Sequence, residues 1–316
     1  MHVLSKALVV GADETFAPAL SSRLTATGTE VRELTTRSAG NVGTPNIARP
    51  VAGVRRQAIE SWTVPALAAA AGDESWDAVF WFTNPTSEGT PEAVVETHVE
   101  RLTNFIEALS ARPPQRIVIV GAAEEYGAID SHHRALETDA AHPTTTAGRA
   151  WKAAYAAALE LAASRGISLV HLRAFGVYGP GAPLADLVPY ILAQLDDDEQ
   201  ALLPSCEQVG DYTYVDDAVE ACVAVATAPT IESGVYNLCS GAPLSFHAFA
   251  DQIAEMLQKP GHLLRWGALP DLDAVPGWLV GDPEKLALAT GWRAHTTLDS
   301  GVRRMLCAAA AWSAVA

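Results

Sequence analysis

The chain has 316 residues, of which 49% are hydrophobic and 18% are charged, so it can bury a sizeable core. Its formal net charge of −16, from 37 acidic and 21 basic residues, argues against nucleic acid and anionic membranes as partners. The sequence has no run of about 18 apolar residues and no secretory signal, which predicts a cytoplasmic protein.

The four cysteines are widely spaced in the sequence. No two of them form a CxxC pair or a metal-ligand spacing; they are Cys206, Cys222, Cys239 and Cys307. This pattern predicts buried thiols rather than disulfides, and it predicts no metal site.

Short apolar runs and amphipathic segments alternate through the first half of the chain. Strands are predicted at 6–12, 30–36, 54–60, 76–84, 116–122 and 168–176. Helices are predicted at 14–28, 91–111 and 147–166. Because strand and helix alternate, we expect an α/β fold with a doubly wound parallel sheet of the Rossmann type.

The alternation ends after Gly179. Two Pro-containing segments follow, and then the segments 211–226 and 234–241 are predicted to return to the sheet. We therefore predict a dinucleotide-binding domain made of 1–178 and 211–240. The remaining residues, 179–210 and 241–316, are predicted to form a smaller, discontinuous and mostly helical substrate lobe.

Five motifs follow one another along nearly the whole chain. They are AAEEYG (122–127), LRAFGVYGPG (172–181), YTYVDDAVEACVAV (212–225), VYNLCSG (235–241) and ATGWRAHTTLDSGVRR (289–304). In this order and spacing they resemble the extended short-chain dehydrogenase/reductases, the NAD(P)-dependent epimerase/dehydratase group. The resemblance implies a homodimer paired through the helices equivalent to 91–111 and 147–165, and the many alanines of the second helix would let the two backbones approach closely.

The cofactor loop of this family is usually GxxGxxG, and here it reads GADETFA. Gly11 is kept, whereas Glu14 and Ala17 stand at the other two glycine positions. The glycines normally let the backbone approach a pyrophosphate at a helix N-terminus, and a carboxylate would repel it unless it points to solvent. The resemblance implies cofactor contacts from Gly11, Thr15, Phe16, Thr36, Arg37, Ser38, Ala58, Ile59, Phe82, Thr83, Ala174 and Gly176.

The end of the second strand bears on the choice of cofactor. Thr35 stands where NAD-dependent members carry the acid that holds the ribose hydroxyls, and Arg37 lies just beyond. An arginine fork beside hydroxyls suits the 2′-phosphate of NADPH, whereas the alternative is an ordinary solvent-exposed arginine. The sequence therefore predicts NADPH/NADP as the cofactor.

The ordinary catalytic groups of the family are missing. Ala122 stands at the Ser/Thr position, Ala147 at the Tyr position and Trp151 at the Lys position, and His98 replaces the helper Asn. Shifting the register by one residue would recover Lys152 but would still supply no tyrosine. The usual proton donor to the carbonyl is therefore absent.

Three interpretations of this absence stay open. The protein is a non-catalytic NADP-binding regulator, or another side chain is the acid, or the substrate supplies its own proton. The candidate acids are Glu124, His98, Tyr126 and Tyr178. Glu124 stands where sugar dehydratases of the family carry a catalytic Glu, which favours a sugar-nucleotide epimerase or dehydratase as the alternative function.

The third interpretation has a chemical basis. When a phenol lies beside a reacting ketone, it can protonate the alkoxide as hydride arrives, so the protein must mainly position the carbonyl. Gly176 and Gly210 also replace an Asn and an Arg that are usual in sugar-nucleotide members. The pattern is similar to atypical ketoreductases that act on aromatic polyketides. It predicts an NADPH-dependent ketoreductase for a polycyclic aromatic ketone, with a substrate pocket formed by Ala122, Glu124, Ala147, Trp151 and Tyr178.

Overall fold

The computed structural model describes residues 4–12, 16–36, 51–86, 88–130, 132–180, 187–271 and 276–313. Its strands are β1 (Lys6–Val10), β2 (Glu30–Thr35), β3 (Arg55–Ala58), β4 (Ala78–Trp81), β5 (Arg116–Ala122), β6 (Ser168–Ala174), β7 (Gly176–Tyr178), β8 (Ala201–Leu202), β9 (Val209–Tyr214), β10 (Gly234–Leu238), β11 (Pro243–Ser245), β12 (Leu264–Arg265) and β13 (Trp278–Leu279). Its α-helices are α1 (Ala17–Ala26), α2 (Val64–Ala71), α3 (Pro91–Leu109), α4 (Thr146–Ser164), α5 (Leu187–Asp196), α6 (Val215–Thr227), α7 (Phe246–Met256), α8 (Glu284–Thr290) and α9 (Leu298–Ser313).

The predicted α/β fold is confirmed. Seven strands form one parallel sheet in the order β10-β6-β5-β4-β1-β2-β3. The strand order reverses direction at β1, which is the place where ligands bind in doubly wound sheets, outside the carboxyl ends of the strands.

Helices cover both faces of this sheet. Side chains alternate along each strand, so Val9 and Phe80 pack with α1 and α6 on one face, whereas Val10 and Trp81 pack with α2, α3 and α4 on the other. This double burial explains why the central strands read as continuous apolar runs rather than as alternating ones.

The two long helices each begin after a threonine that caps them. The hydroxyl of Thr90 accepts a hydrogen bond from the amide of Ala93 at the start of α3, and that of Thr145 accepts one from the amide of Gly148 at the start of α4. Most elements are one to three residues shorter at one or both ends than their sequence patterns, because the patterns include the turns that flank them. The predicted start of the first helix lies partly outside the described residues.

One prediction about topology is wrong. The segment 211–214 does not return to the large sheet but belongs to β9, which pairs with β7, β11 and β13 in a separate four-stranded sheet. The buried carboxylate of Asp211 holds it there, because it accepts hydrogen bonds from the amides of Ser240 and Gly241. Of the two predicted returning segments, only β10 joins the parallel sheet.

The cysteines are all free thiols. Cys206, Cys222 and Cys239 are buried, but the prediction of a buried thiol is wrong for Cys307, which is exposed on the solvent side of α9. Among the described residues, no helix is both long and apolar enough to cross a membrane.

Candidate active site

The turn after β1 begins with a glycine that its backbone conformation and packing require. Gly11 has a φ of +74°, and a Cβ there would lie 2.7 Å from the amide nitrogen of Thr83. Only glycine fits such a turn, which lets the backbone come close to a phosphate. The hydroxyl of Thr83 is buried, and no residue in the described ranges forms a hydrogen bond with it. The cradle at Gly11 and this free hydroxyl therefore fit a bound cofactor.

The other predicted cofactor contacts lie along the same edge of the sheet. Phe16 precedes α1 and packs edge-to-face on Phe82, with 5.0 Å between the ring centroids. Thr36 follows β2, and the amide of Ile59 donates to the carbonyl of Thr35. The remaining described contacts are Ala58 at the end of β3, Ala174 at the end of β6 and Gly176 at the start of β7. Glu14, Thr15, Arg37 and Ser38 lie outside the described residues.

Three of the predicted pocket residues, Ala122, Glu124 and Ala147, lie where the end of β5 meets the start of α4, a place called the corner below. Ala122 ends β5, and the 3-10 turn Ala123–Glu125 that follows packs on the start of α4, where Ala147 lies. The contact is close, since a Cβ on Gly148 would come within 2.6 Å of the carbonyl oxygen of Glu124.

Glu124 points its carboxylate at the N-terminus of α4. The Thr145 hydroxyl donates to Glu124 Oε2 over 2.9 Å, and the side chain is exposed. Glu124 therefore presents an exposed carboxylate at this corner, held by the Thr145 hydroxyl.

Trp151 reaches into the interface between α3 and α4. It is buried there and meets the His98 ring edge-on, with 4.6 Å between the ring centroids. Burial lowers the pKa of His98 to about 3, and neither ring nitrogen forms a hydrogen bond within the described ranges. His98 is therefore neutral at neutral pH and packs as an aromatic ring.

The two tyrosine candidates are both buried. The Tyr126 hydroxyl donates to Asn237 Oδ1 over 2.7 Å, its ring lies beneath the Arg173 guanidinium, and burial raises its pKa to about 12. Tyr178 packs edge-to-face on Tyr214 and Phe249, where burial raises its pKa.

Tyr178 therefore stands apart from the other four residues of the predicted pocket. It belongs to the hydrophobic cluster that α7 and α9 cover, whereas Trp151 belongs to the cluster on the opposite face of the sheet. The structure brings Ala122, Glu124 and Ala147 together, and it separates Trp151 and Tyr178 from each other.

A buried charged cluster lies directly behind this corner, and sequence reasoning missed it. Glu125 Oε1 lies 2.6 Å from His171 Nε2, and Glu125 Oε2 accepts from Arg173 Nε over 3.0 Å. The ring of Tyr155 stacks on His171 with 4.5 Å between centroids. Burial alone would raise the pKa of Glu125, but the charges of His171 and Arg173 outweigh it and hold the pKa below its ordinary value. In the sequence, Gly121 is the residue that could have indicated this cluster, because a Cβ at that position would collide with the His171 ring.

Comparison with known proteins decides the family. The model of the NAD dependent epimerase/dehydratase family matches residues 7–239. The chain belongs to this family. This match confirms the resemblance to the extended short-chain dehydrogenase/reductases. The chain therefore has the fold of a family of NAD(P)-dependent enzymes.

Known proteins resemble this chain in sequence or in fold at low sequence identity. The dTDP-6-deoxy-L-talose 4-dehydrogenase (NAD(P)(+)) of Kitasatospora kifunensis is 25% identical over 221 residues, which cover 68% of this chain and 69% of that protein. UDP-glucose 4-epimerase of Thermotoga maritima, solved with UDP-glucose, has a TM-score of 0.84 at 18% identity and covers 98% and 99% of the two chains. The dTDP-glucose 4,6-dehydratase of Bacillus anthracis, solved with NAD, has a TM-score of 0.84 at 16% identity and covers 97% and 96%.

Proposed function

We propose that the chain is an NADPH-dependent ketoreductase that reduces a polycyclic aromatic ketone, with the proton supplied by a neighbouring phenol of the substrate. One observation carries this proposal: α4 offers no proton donor where the family has its Tyr and Lys. Ala147 lies at the corner beside Ala122, and Trp151 is buried against His98. A bound nicotinamide would supply hydride, which is chemistry of the cofactor rather than of the protein.

The side chains of the protein then bind and orient the two molecules. Gly11, Phe16 and Thr83 would hold the dinucleotide at the carboxyl edge of the sheet. The methyl groups of Ala122 and Ala147 would form the wall beside the reacting carbonyl, where they would exclude water without donating a hydrogen bond. Such a wall suits a flat aromatic ketone that already carries its own donor, because a hydroxyl-rich sugar would find few partners there.

A sugar nucleotide is the second candidate substrate. It is supported by the substrates named for the relatives and by Glu124, whose exposed carboxylate lies at the same corner. The absence of side chains at Gly176 and Gly210 argues against it, because both usually carry polar groups in sugar-nucleotide members.

A pair of turnover assays separates these functions. Consumption of NADPH is followed with 1,8-dihydroxyanthraquinone, whose carbonyl lies beside phenols, while UDP-glucose is assayed with NAD and with NADP for oxidation or epimerisation. We expect reduction of the quinone and no reaction of the sugar nucleotide. Reaction of UDP-glucose alone would favour the second candidate. Binding of NADPH without either reaction would indicate a non-catalytic regulator.

The choice of NADPH predicts a selective effect at Arg37, which lies outside the described residues. Arg37→Ala is expected to lower the affinity for NADPH about tenfold or more, because a charge-assisted contact with the 2′-phosphate contributes about 1.5–3 kcal/mol to binding. The affinity for NADH should stay unchanged, since NADH lacks that phosphate. Calorimetric titration measures both cofactors, with Arg303→Ala on α9 as the control. An equal loss for both cofactors would show that Arg37 does not bind the 2′-phosphate.

A further inference from the structure

Two consecutive glutamates leave the 3-10 turn after β5 in opposite directions. Glu124 is exposed, and its carboxylate accepts a hydrogen bond from the Thr145 hydroxyl just before α4. Glu125 is fully buried, and its two carboxylate oxygens contact His171 Nε2 and Arg173 Nε of β6 over 2.6 and 3.0 Å. The turn is therefore tied to the start of α4 on its outer side and to the sheet on its inner side.

The backbone hydrogen bonds of this turn are local. The carbonyl of Ala123 accepts from the amide of Tyr126 over 3.0 Å, and that of Glu124 accepts from the amide of Gly127 over 3.2 Å. Both bonds lie within one short stretch of chain, so they close the turn without fixing its place in the protein. In the described ranges, the hydrogen bonds that join the turn residues to other segments come from the side chains of Glu124 and Glu125.

Glycines on both sides of the turn show how closely it is packed. A Cβ on Gly148 of α4 would lie 2.6 Å from the Glu124 carbonyl oxygen. A Cβ on Gly121 of β5 would collide with the His171 ring and would lie 3.1 Å from Glu125 Oε1. Neither glycine has a positive φ, so packing rather than backbone conformation requires them. Because these contacts are so close, a shift of the turn displaces the start of α4 as well.

We propose that Glu125 is a positioning residue of the candidate active site. Its two hydrogen bonds to β6 hold the turn in place and thereby set how closely Ala122 and Ala147 approach each other at the corner. The exposed hydrogen bond of Glu124 cannot replace them, because groups at the surface exchange such a bond for one with water. The inference rests on the proposed function, since it takes this corner as the place where the carbonyl reacts.

Three variants separate the two hydrogen bonds from the presence of a buried side chain. Glu125→Leu removes both bonds. Glu125→Gln keeps them, because its amide can accept from Arg173 and donate to His171. Glu107→Leu is the matched control, since its carboxylate pairs with Arg165 at the other end of α4 over 2.9 Å.

Hydrogen exchange followed by mass spectrometry compares the first turns of α4 (146–151) with its middle (154–162). The amide of Gly148 donates to the capping hydroxyl of Thr145, so a displaced start of the helix exchanges faster. In Glu125→Leu the first segment should exchange about tenfold faster relative to the second, as expected for loss of its hydrogen bonds. The other two variants should keep the wild-type ratio. An equal acceleration of both segments, or the same change in Glu125→Gln, would overturn the inference.

Gly121→Ala disturbs the same contact without removing a charge. Its methyl group would push the His171 ring and Glu125 out of position, so the first turns of α4 should again exchange faster than the middle. This variant keeps the test decisive if Glu125→Leu does not fold. A wild-type exchange ratio in Gly121→Ala would contradict the positioning role.

Turnover distinguishes this inference from the proposed function. With NADPH and 1,8-dihydroxyanthraquinone, Glu125→Leu should lower kcat about tenfold or more, because a misplacement of about 1 Å can cost about 10²-fold in rate. KM and the dissociation constant of NADP should change little, and Glu125→Gln should restore kcat. If the wild type does not reduce the quinone but exchange changes as expected, the inference stands while the ketoreductase proposal fails. If the wild type reduces it and folded Glu125→Leu keeps full kcat, the reverse holds.

Discussion

Methylation of the phenol beside the reacting carbonyl is expected to lower turnover by about 100-fold or more while the ligand still binds. General acid catalysis typically contributes about 10²–10⁴-fold, and the methyl ether can neither protonate the alkoxide nor become a phenolate. Single-turnover reduction of a hydroxyanthraquinone and of its methyl ether, together with their dissociation constants, measures the effect. Unchanged affinity for the ether is the control that the added methyl group fits.

The same hypothesis predicts that no single side chain is indispensable. Four single variants test this: Glu124→Gln, His98→Ala, Tyr126→Phe and Tyr178→Phe. Each should keep its turnover rate within about tenfold of the wild type, whereas removal of the true proton donor would lower the rate by more than that. The buried positions of His98, Tyr126 and Tyr178 agree with this expectation. If the methyl ether is reduced normally and one of these variants is inactive, that residue is the acid.

Glu125→Ala is expected to lower the free energy of unfolding by about 3–5 kcal/mol, because it leaves the buried charge of Arg173 without its carboxylate. Both Glu125 and His171 are fully buried, and Arg173 is nearly so. Urea denaturation at neutral pH measures the loss. Glu107→Ala is the matched control: its carboxylate pairs with Arg165 at the surface over 2.9 Å, and its loss should cost less than about 1 kcal/mol.

The loss of folding stability caused by Glu125→Ala should also depend on pH. The pKa of Glu125 in the folded protein lies below its ordinary value of 4.5, so its charge stabilises the fold above that pH. As pH falls through the folded-state pKa, the carboxylate takes up a proton and this stabilisation disappears. The difference between wild type and Glu125→Ala should therefore be largest at neutral pH and become smaller in acid. A loss no greater than that of Glu107→Ala at neutral pH would contradict the predicted role of the cluster.

Local patterns in the sequence determined the main architecture. Continuous apolar runs predict strands that are buried on both faces, as in β4 and β5, and the helical spacing of apolar residues predicts α3 and α4. The order of the family motifs also fixed the register of α4, so the absence of the Tyr and the Lys could be predicted without a structure. These features depend on residues close together in the chain.

Only the tertiary structure decided which side chains meet. Glu125 finds its partners 46 and 48 residues away, on a neighbouring strand whose register no local pattern specifies. Gly176 and Gly210 could be recognised as departures from the family, but the ring of Tyr212 that lies against both became visible only when β7 and β9 paired. Each of these contacts depends on the packing of segments distant in sequence, and residue type alone cannot predict it.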